Sequence, residues 1–526
     1  MTERIRICLI GTGRAGMIHG RNFAGRIKNA ELIALCDPSK ESLETAQKEV
    51  DCPYLYQDYH EALQNPAIDA VVIVTPTVYH KEIALAAAAA KKHIFCEKPL
   101  AMDESECLAM IQAAEENHVK LQVGFMRRFD ASFQEAKKVV DSGVIGDVVM
   151  VKSLTHGPSE PKPWMFDIHK SNGPIGEVNS HDFDTLRWLT GSEVTSIYAS
   201  GGNYRSPEVR NEFPDYYDTV AMNLRFEDGK LGLIDGAQYV QYGYDARTEI
   251  LGTKGSILVG DQGKHNIVVA TSNQQLIRPT MHSWMYLFRE AYIAEDQAFV
   301  DCILKDTAPQ CTGHDGLMAV RLVNAGLPSL LENRIVEVER LMKASQLLGK
   351  EKIQLTDITK PEITEKEVLI KVKAASICGT DVRMYKNGYP TASEATPLTL
   401  GHEIAGCIAE VGSAVDFYQE GMRVAIAPNM GCGICDQCIS GNTHLCETYQ
   451  AFGINLPGGF AEYLVVPEKA VRQGNITLLP DELSYEEAAL IEPFSCVFNG
   501  QEIAGNKPGD TVLIIGSGPI GIIHAM

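Results

Sequence analysis

Two sets of residues in this chain have types and spacings that could do chemistry. The first is Gly11-x-Gly13-x-x-Gly16, which follows an apolar run beginning at Ile5. The first glycine permits a tight turn, the second lets backbone approach a pyrophosphate, and the third lets a helix pack on a strand. The N-terminus of the following helix offers free N–H groups and a positive dipole end to a phosphate. Asp37 closes the next apolar run, Leu32–Cys36, at the distance expected of a carboxylate that binds a ribose. Dinucleotide binding is the chemistry this predicts. The same glycine spacing returns at Gly516-Ser-Gly518-Pro-Ile-Gly521. The second set is Cys432-x-x-Cys435-x-x-Cys438-x7-Cys446. Four thiolates so spaced can close a tetrahedral zinc site with no open position, a structural metal. Disulfide pairing is the competing reading, and a reducing compartment disfavours it.

The surrounding sequence predicts the elements that must hold these groups. A helix is expected over Ala15–Arg26, a covered parallel strand over Ala70–Val74, a buried helix around Ile83–Ala90 and a strand over His93–Cys96. These strands end in Thr75-Pro76-Thr77-x-Tyr79-His80 and in Glu97-Lys98-Pro99. Ligands sit beyond the carboxyl ends of the strands in an open parallel sheet, so Gly11, Asp37, Thr75 and Lys98 should converge on one crevice. After Val123 the β-type runs lengthen (Val148–Leu154, Tyr217–Phe226, Leu231–Ile234, Thr248–Val259), which predicts an antiparallel sheet with flanking helices. Ile335–Arg340 reads as the last strand of this part, and a new pattern begins at Met342. There Val368–Val372 leads into Cys378-Gly379-Thr380-Asp381, followed by Gly401-His402-Glu403-x-x-Gly406.

At 526 residues the chain is too long for one core, and three or four domains are expected. A formal charge of −21 with no basic patch argues against nucleic acid or an anionic membrane as partner. The N-terminus has no signal-peptide core, and the longest apolar run is too short to span a bilayer. A cytoplasmic protein acting on a small molecule is expected.

Gly-x-Gly-x-x-Gly, Glu97-Lys98-Pro99 and Gly124-Phe-Met-Arg-Arg-Phe-Asp130, in that order, resemble the Gfo/Idh/MocA family, the glucose–fructose oxidoreductase and inositol dehydrogenase relatives. The resemblance covers about residues 1–338. It implies a Rossmann domain (1–122) and an α+β mixed-sheet domain for substrate and oligomerisation (123–338), NAD as cofactor, and a homo-oligomer. Cofactor contacts are implied at Gly11, Gly13, Arg14, Ala15, Gly16, Asp37, Thr75, Pro76, His80 and Glu97. Asp37 favours NAD over NADP, because a carboxylate repels a 2′-phosphate. The implied catalytic residues are Lys98, Glu177 and His181: His181 as base, Lys98 against developing alkoxide charge, and Glu177 orienting the imidazole or holding a substrate hydroxyl. Glu177 stands where inositol dehydrogenases usually have aspartate, and the extra methylene moves the carboxylate. Taken singly, Lys98 would read as a surface lysine and His181 as a core or cap histidine; the motif order favours function. Arg127, Asp130, His156, Trp164 and Asp167 either line the sugar pocket or lie at the surface.

Cys378, His402-Glu403, the cysteine cluster and Ile491-Glu492-Pro493 resemble the zinc-dependent medium-chain alcohol dehydrogenases, polyol branch. This implies a mainly β GroES-like zinc domain (342–505). A catalytic zinc is implied on Cys378, His402 and Glu403 or Glu492, with the structural zinc on Cys432, Cys435, Cys438 and Cys446. Thr380 would relay the proton, although Arg383 replaces a histidine common in that family. Val512–Ile515 and the second glycine turn would begin a second, incomplete Rossmann domain (506–526). On this α/β reading the chain is an NAD-dependent enzyme oxidising a secondary hydroxyl of a cyclitol, sugar or polyol, its zinc-binding half truncated and inactive alone. The alternatives are the N-terminal part of a bifunctional dehydrogenase, and a non-catalytic binding or scaffold protein.

Overall fold

The computed structural model describes residues 4–264, 268–338, 341–393, 396–507 and 509–526. The chain divides into two compact units, Met1–Val338 and Glu339–Met526.

In the first unit, Ile5–Ile10 (β1), Ala30–Cys36 (β2), Tyr54–Tyr56 (β3), Ala70–Ile73 (β4), His93–Glu97 (β5) and Leu121–Gly124 (β6) form one sheet. All its pairings are parallel, in the order β3-β2-β1-β4-β5-β6. β4 is buried at every position because helices cover both faces. The strand order reverses between β1 and β4, where such sheets open a ligand crevice. The helix Arg289–Leu304 returns to this layer and places Phe299, Val300 and Cys302 in one core with Leu9, Met17, Phe23 and Phe95. Residues 1–122 therefore do not build the first core alone.

The second sheet comprises Val148–Gly157 (β7), Val194–Gly202 (β8), Thr219–Phe226 (β9), Leu231–Gln238 (β10), Asp245–Gly252 (β11) and Ser256–Val259 (β12). A separate hairpin pairs Val269–Ala270 (β13) with Leu276–Ile277 (β14), and Val336–Glu337 (β15) closes the sheet edge in the order β12-β11-β7-β10-β9-β8-β15. The sheet is mixed, since β7 and β10 run parallel. The run expected over Thr248–Val259 is a hairpin, closed where the Gly252 N–H donates to the Gly255 carbonyl at 2.8 Å. The strand expected over Ile335–Arg340 is only two residues long, and Arg340 lies outside the described residues. Ser180–Thr190 and Gly313–Glu332 pack on this sheet, with Phe183, Leu186, Ile197, Val220, Met222 and Ile250 in the core.

In the second unit, Leu341–Gly349 (β16), Lys352–Thr359 (β17) and Leu398–Thr399 (β19) form a small sheet ordered β17-β16-β19, and Val368–Ser376 (β18) belongs to another. β18 joins Glu403–Val411 (β20), Arg423–Ile426 (β21), Tyr463–Val466 (β24) and Ile476–Leu478 (β25) in an antiparallel sheet ordered β24-β18-β20-β21-β25. Asn429–Met430 (β22) pairs with Gln450–Ala451 (β23). Alternate residues of these strands, among them Val368, Ile370, Ile404, Ile408, Val424 and Leu464, form the core. The strand expected over Val512–Ile515 does not form: these residues are unpaired and exposed, because a strand needs a neighbour to satisfy its backbone. The glycine turn after it does form. Gly516 has φ +116°, and a Cβ on Gly521 would sit 2.0 Å from the Gly516 carbonyl oxygen. No helix among the described residues is long and apolar enough to cross a membrane.

Candidate active site and metal centres

The first glycine turn leaves β1 with Gly11 at φ +98°, where a Cβ would lie 2.4 Å from the Val74 carbonyl oxygen. A Cβ on Gly16 would lie 1.9 Å from the Gly11 carbonyl oxygen, so only glycine lets the helix Gly16–Phe23 start there. Gly13 has nothing within 4 Å of its would-be Cβ; the chain itself leaves this approach open. Asp37 Oδ2 accepts from the Thr12 N–H at 2.9 Å and the Thr12 hydroxyl at 3.0 Å, which seats the carboxylate beside the turn. Across the crevice Thr75 Oγ1 is buried with no hydrogen-bond partner. The open approach and the orphaned hydroxyl both fit a bound dinucleotide. Arg14 and Pro76 are exposed and Ala15 is half-buried; the Arg14 guanidinium lies 5.9 Å from the Trp284 ring centre.

Two expected cofactor contacts have other work. His80 is buried, with Nδ1 2.9 Å from the Pro99 carbonyl oxygen and Nε2 2.9 Å from that of Thr75, so both ring nitrogens face backbone and its single N–H donates to one of the two carbonyls. Glu97 is also buried; one oxygen lies 3.1 Å from His19 Nε2 and the other accepts the Lys98 backbone N–H at 3.0 Å.

Lys98, Glu177 and His181 are brought together. Lys98 Nζ donates to the Glu177 backbone carbonyl at 2.8 Å. Glu177 and His181 do not share a helix: one helix ends at Glu177 and the next starts at Ser180. No hydrogen bond joins these two side chains among the described residues, and His181 Nδ1 is buried without a partner. The imidazole is held instead by its neighbours, with the Phe125 ring edge-on at 5.8 Å. Burial, with the Lys98 and Arg127 cations adding to it, pushes the His181 pKa well below the usual 6.5. Burial raises the Glu177 carboxyl above its usual 4.5, and the Lys98 ammonium partly offsets this. A neutral imidazole beside an ammonium can take a proton from a hydroxyl whose growing negative charge the ammonium stabilises.

The residue after His181 fixes this arrangement. Asp182 Oδ1 accepts from Arg127 Nη1 at 2.7 Å and Ser153 Oγ at 2.6 Å, while Oδ2 accepts from Thr155 Oγ1 and Asn179 Nδ2, both at 2.8 Å. Arg127 is consequently a buried brace and not a pocket-lining residue. Asp182→Ala would strand that guanidinium without a counter-charge, and we expect a loss of about 3–5 kcal/mol in urea unfolding. Asp130 and Asp167 cap helix N-termini, Trp164 is exposed, and His156 Nε2 meets Asp235 at 3.0 Å. Sequence reading missed Asp182, Ser153 and Thr155; their only signal was polar residues on otherwise apolar faces.

In the second unit Cys432, Cys435, Cys438 and Cys446 place their sulfurs within 4.8 Å of one another. Cys446 Sγ accepts the Cys432 N–H at 3.2 Å and Cys432 Sγ the Cys435 N–H at 3.3 Å. The Thr448 hydroxyl, helped by the Cys432 backbone, pulls the Cys446 thiol down to about 6. All fourteen cysteines are free thiols. This donor set fits a four-thiolate zinc. Cys378, His402 and Glu403 form a second group within 4.8 Å, and Glu492 stands outside it. Asp381 accepts the Cys378 N–H at 2.8 Å and lies 3.6 Å from His402 Nδ1. Glu403 is hydrogen-bonded by Ser376 Oγ. Burial raises the Glu492 pKa above 4.5, and His402 pulls the other way.

Comparison with known proteins agrees with this geometry. Residues 5–125 match the model of the oxidoreductase family with an NAD-binding Rossmann fold, and residues 133–258 match the GFO/IDH/MocA C-terminal domain. Residues 364–476 match the alcohol dehydrogenase GroES-like domain. Myo-inositol 2-dehydrogenase of Thermotoga maritima is 34% identical over 340 residues, 64% of this chain and 100% of the relative. The NAD(+)-dependent scyllo-inositol 2-dehydrogenase of Bacillus subtilis is 33% identical over 339 residues, 63% of this chain and 98% of the relative. The crystal structure of scyllo-inositol dehydrogenase from Lactobacillus casei, with NAD(H) and scyllo-inositol bound, superposes with a TM-score of 0.59 at 31% identity, covering 64% of this chain and 99% of that one. The chain belongs to the Gfo/Idh/MocA family of NAD-binding oxidoreductases, and it carries in addition a GroES-like domain of the alcohol dehydrogenase type.

Proposed function

We propose that the first unit oxidises a ring hydroxyl of an inositol with NAD, and that Lys98, Glu177 and His181 carry the reaction. The observation that carries the reading is the meeting of Lys98 Nζ with the Glu177 carbonyl at 2.8 Å beside a buried His181. The inositol dehydrogenase names of the relatives support the substrate class. NAD, when bound, accepts the hydride from the carbinol carbon. His181 takes the hydroxyl proton, Lys98 steadies the charge left on oxygen, and the Glu177 carboxyl is within reach of a neighbouring hydroxyl. Gly13 would leave room for the pyrophosphate of the bound cofactor, and Asp37 would hold its ribose.

Because the base must be neutral and its pKa is depressed, raising the pH through the His181 pKa switches activity on. We expect the acid limb of kcat/KM to lie below pH 6.5, read from initial rates between pH 5 and 8. The Asp37 carboxylate should make NAD at least about tenfold better than NADP in kcat/KM. The test of the whole reading is NADH formation with myo- and scyllo-inositol, aldoses and open-chain polyols. Turnover with none of them would favour a non-catalytic protein.

A second reading concerns the second unit, where the Cys378, His402 and Glu403 group favours an alcohol-binding zinc. These three residues would hold the ion, and Glu492 would stand behind it. Zinc in such a site polarises a bound alcohol oxygen. With the four-thiolate site this predicts two zinc atoms per chain by elemental analysis, against one if only the thiolates load.

A further inference from the structure

On the helix that follows the first glycine turn lies a charge cluster that the chemistry above leaves unused. His19, on the buried face of the helix Gly16–Phe23, is 0% exposed. Its Nδ1 lies 2.7 Å from Asp296 Oδ1 and its Nε2 3.1 Å from Glu97 Oε1. Asn22 Nδ2 donates to Asp296 Oδ2 at 2.8 Å, and Glu97 Oε2 accepts the Lys98 N–H at 3.0 Å. Phe95 and Tyr292 close the ring in at 5.0 and 5.5 Å. Gly124 on β6 leaves the space that Glu97 fills, since a Cβ there would lie 3.0 Å from Glu97 Cδ. Glu295, next to Asp296, is fully buried and both its oxygens lack partners; burial, and then Glu97, push its pKa well above 4.5.

A neutral imidazole has one N–H and could satisfy only one of the two carboxylates that face its nitrogens. An imidazolium satisfies both. The cation also offsets one of the two negative charges buried there, where a carboxylate without a counter-charge is costly. Three elements meet at this one ring: the helix of the glycine turn, the strand end that carries Lys98, and the return helix Arg289–Leu304.

We propose that His19 is a positioning residue: as an imidazolium clamped between Asp296 and Glu97, it fixes through Glu97 the backbone of Lys98 relative to the cofactor turn. The inference rests on the reading of Lys98 as catalytic. It is tested by measuring kcat per NAD-binding site, titrated by fluorescence so that only folded protein counts, in His19→Gln, Glu97→Gln, the double variant and Lys98→Ala. We expect His19→Gln to lose about 10- to 100-fold in kcat, the scale of a small misplacement of a reacting group, with KM for NAD within about threefold. The double variant should lose no more than Glu97→Gln alone. A loss under tenfold, a shift in KM alone, or losses that multiply in the double variant would overturn the proposal. Asp296→Asn keeps the imidazole and the side-chain size; judged by the same criteria, it decides the matter if His19→Gln does not fold. If Lys98→Ala stays active, the underlying reading fails; if it is dead while His19→Gln is fully active, only this inference fails.

Discussion

Lys98→Ala is expected to lower kcat for inositol oxidation by about 10³-fold while leaving NAD affinity within about threefold. One donor aimed at a developing oxyanion contributes about 10²–10³ in rate, and here the donor is a full cation in a half-buried site. Its ammonium is anchored by a backbone carbonyl, so its position does not depend on a titrating partner. Lys98 also helps depress the His181 pKa, after burial and alongside Arg127. The residual activity of Lys98→Ala should therefore show its acid limb shifted upward, toward 6.5. Lys98→Arg should restore little, because a planar guanidinium does not place its charge where an ammonium does. Initial rates of NADH formation against pH, with NAD titrations, read all three effects. A loss under tenfold in Lys98→Ala would remove Lys98 from the chemistry.

The second large effect is expected from Cys446→Ser. The loop that carries the four thiols has little apolar core: Ile434 is 83% exposed, Ile439 74% and Leu445 56%, whereas Met430 and Cys446 are buried. Its order depends on what the sulfurs bind. Structural zinc sites contribute roughly 10–16 kcal/mol of apparent binding energy to folding at neutral pH. Serine is a poor soft-metal ligand, so the variant should hold one zinc fewer per chain than the parent by elemental analysis. The calorimetric transition of the second unit should fall by about 10 °C or more. An unchanged zinc content with an unchanged transition would mean that the cluster is a set of ordinary thiols.

What could be read from the sequence was mostly local. The turn from Gly11 to Gly16 depends on a few neighbouring residues, and so does its twin: Gly516 and Gly521 approach each other as Gly11 and Gly16 do even though the described residues 512–515 before them form no strand. The strand expected at Val512–Ile515 shows the limit, because pairing is a property of a neighbour and not of the segment. The four cysteines declare their site by spacing alone. Motif order pointed to Lys98 and His181 as one group, but the break between the helices that end at Glu177 and start at Ser180 has no signal in the sequence. A histidine at a strand end such as His80 looks the same in sequence whether it faces a ligand or backbone carbonyls. His19 had a signal, its place on the same helix face as Gly16, Gly20 and Phe23. Its partner Asp296, 277 residues away, had none.

We propose that inositol oxidation belongs to the first glycine turn and Lys98, not to the cysteine-rich second unit. The most direct test is NADH formation by the full chain with myo- and scyllo-inositol, run beside Lys98→Ala and Cys378→Ser. Activity lost in Lys98→Ala and kept in Cys378→Ser is the predicted result. Activity that survives Lys98→Ala and disappears in Cys378→Ser would contradict it.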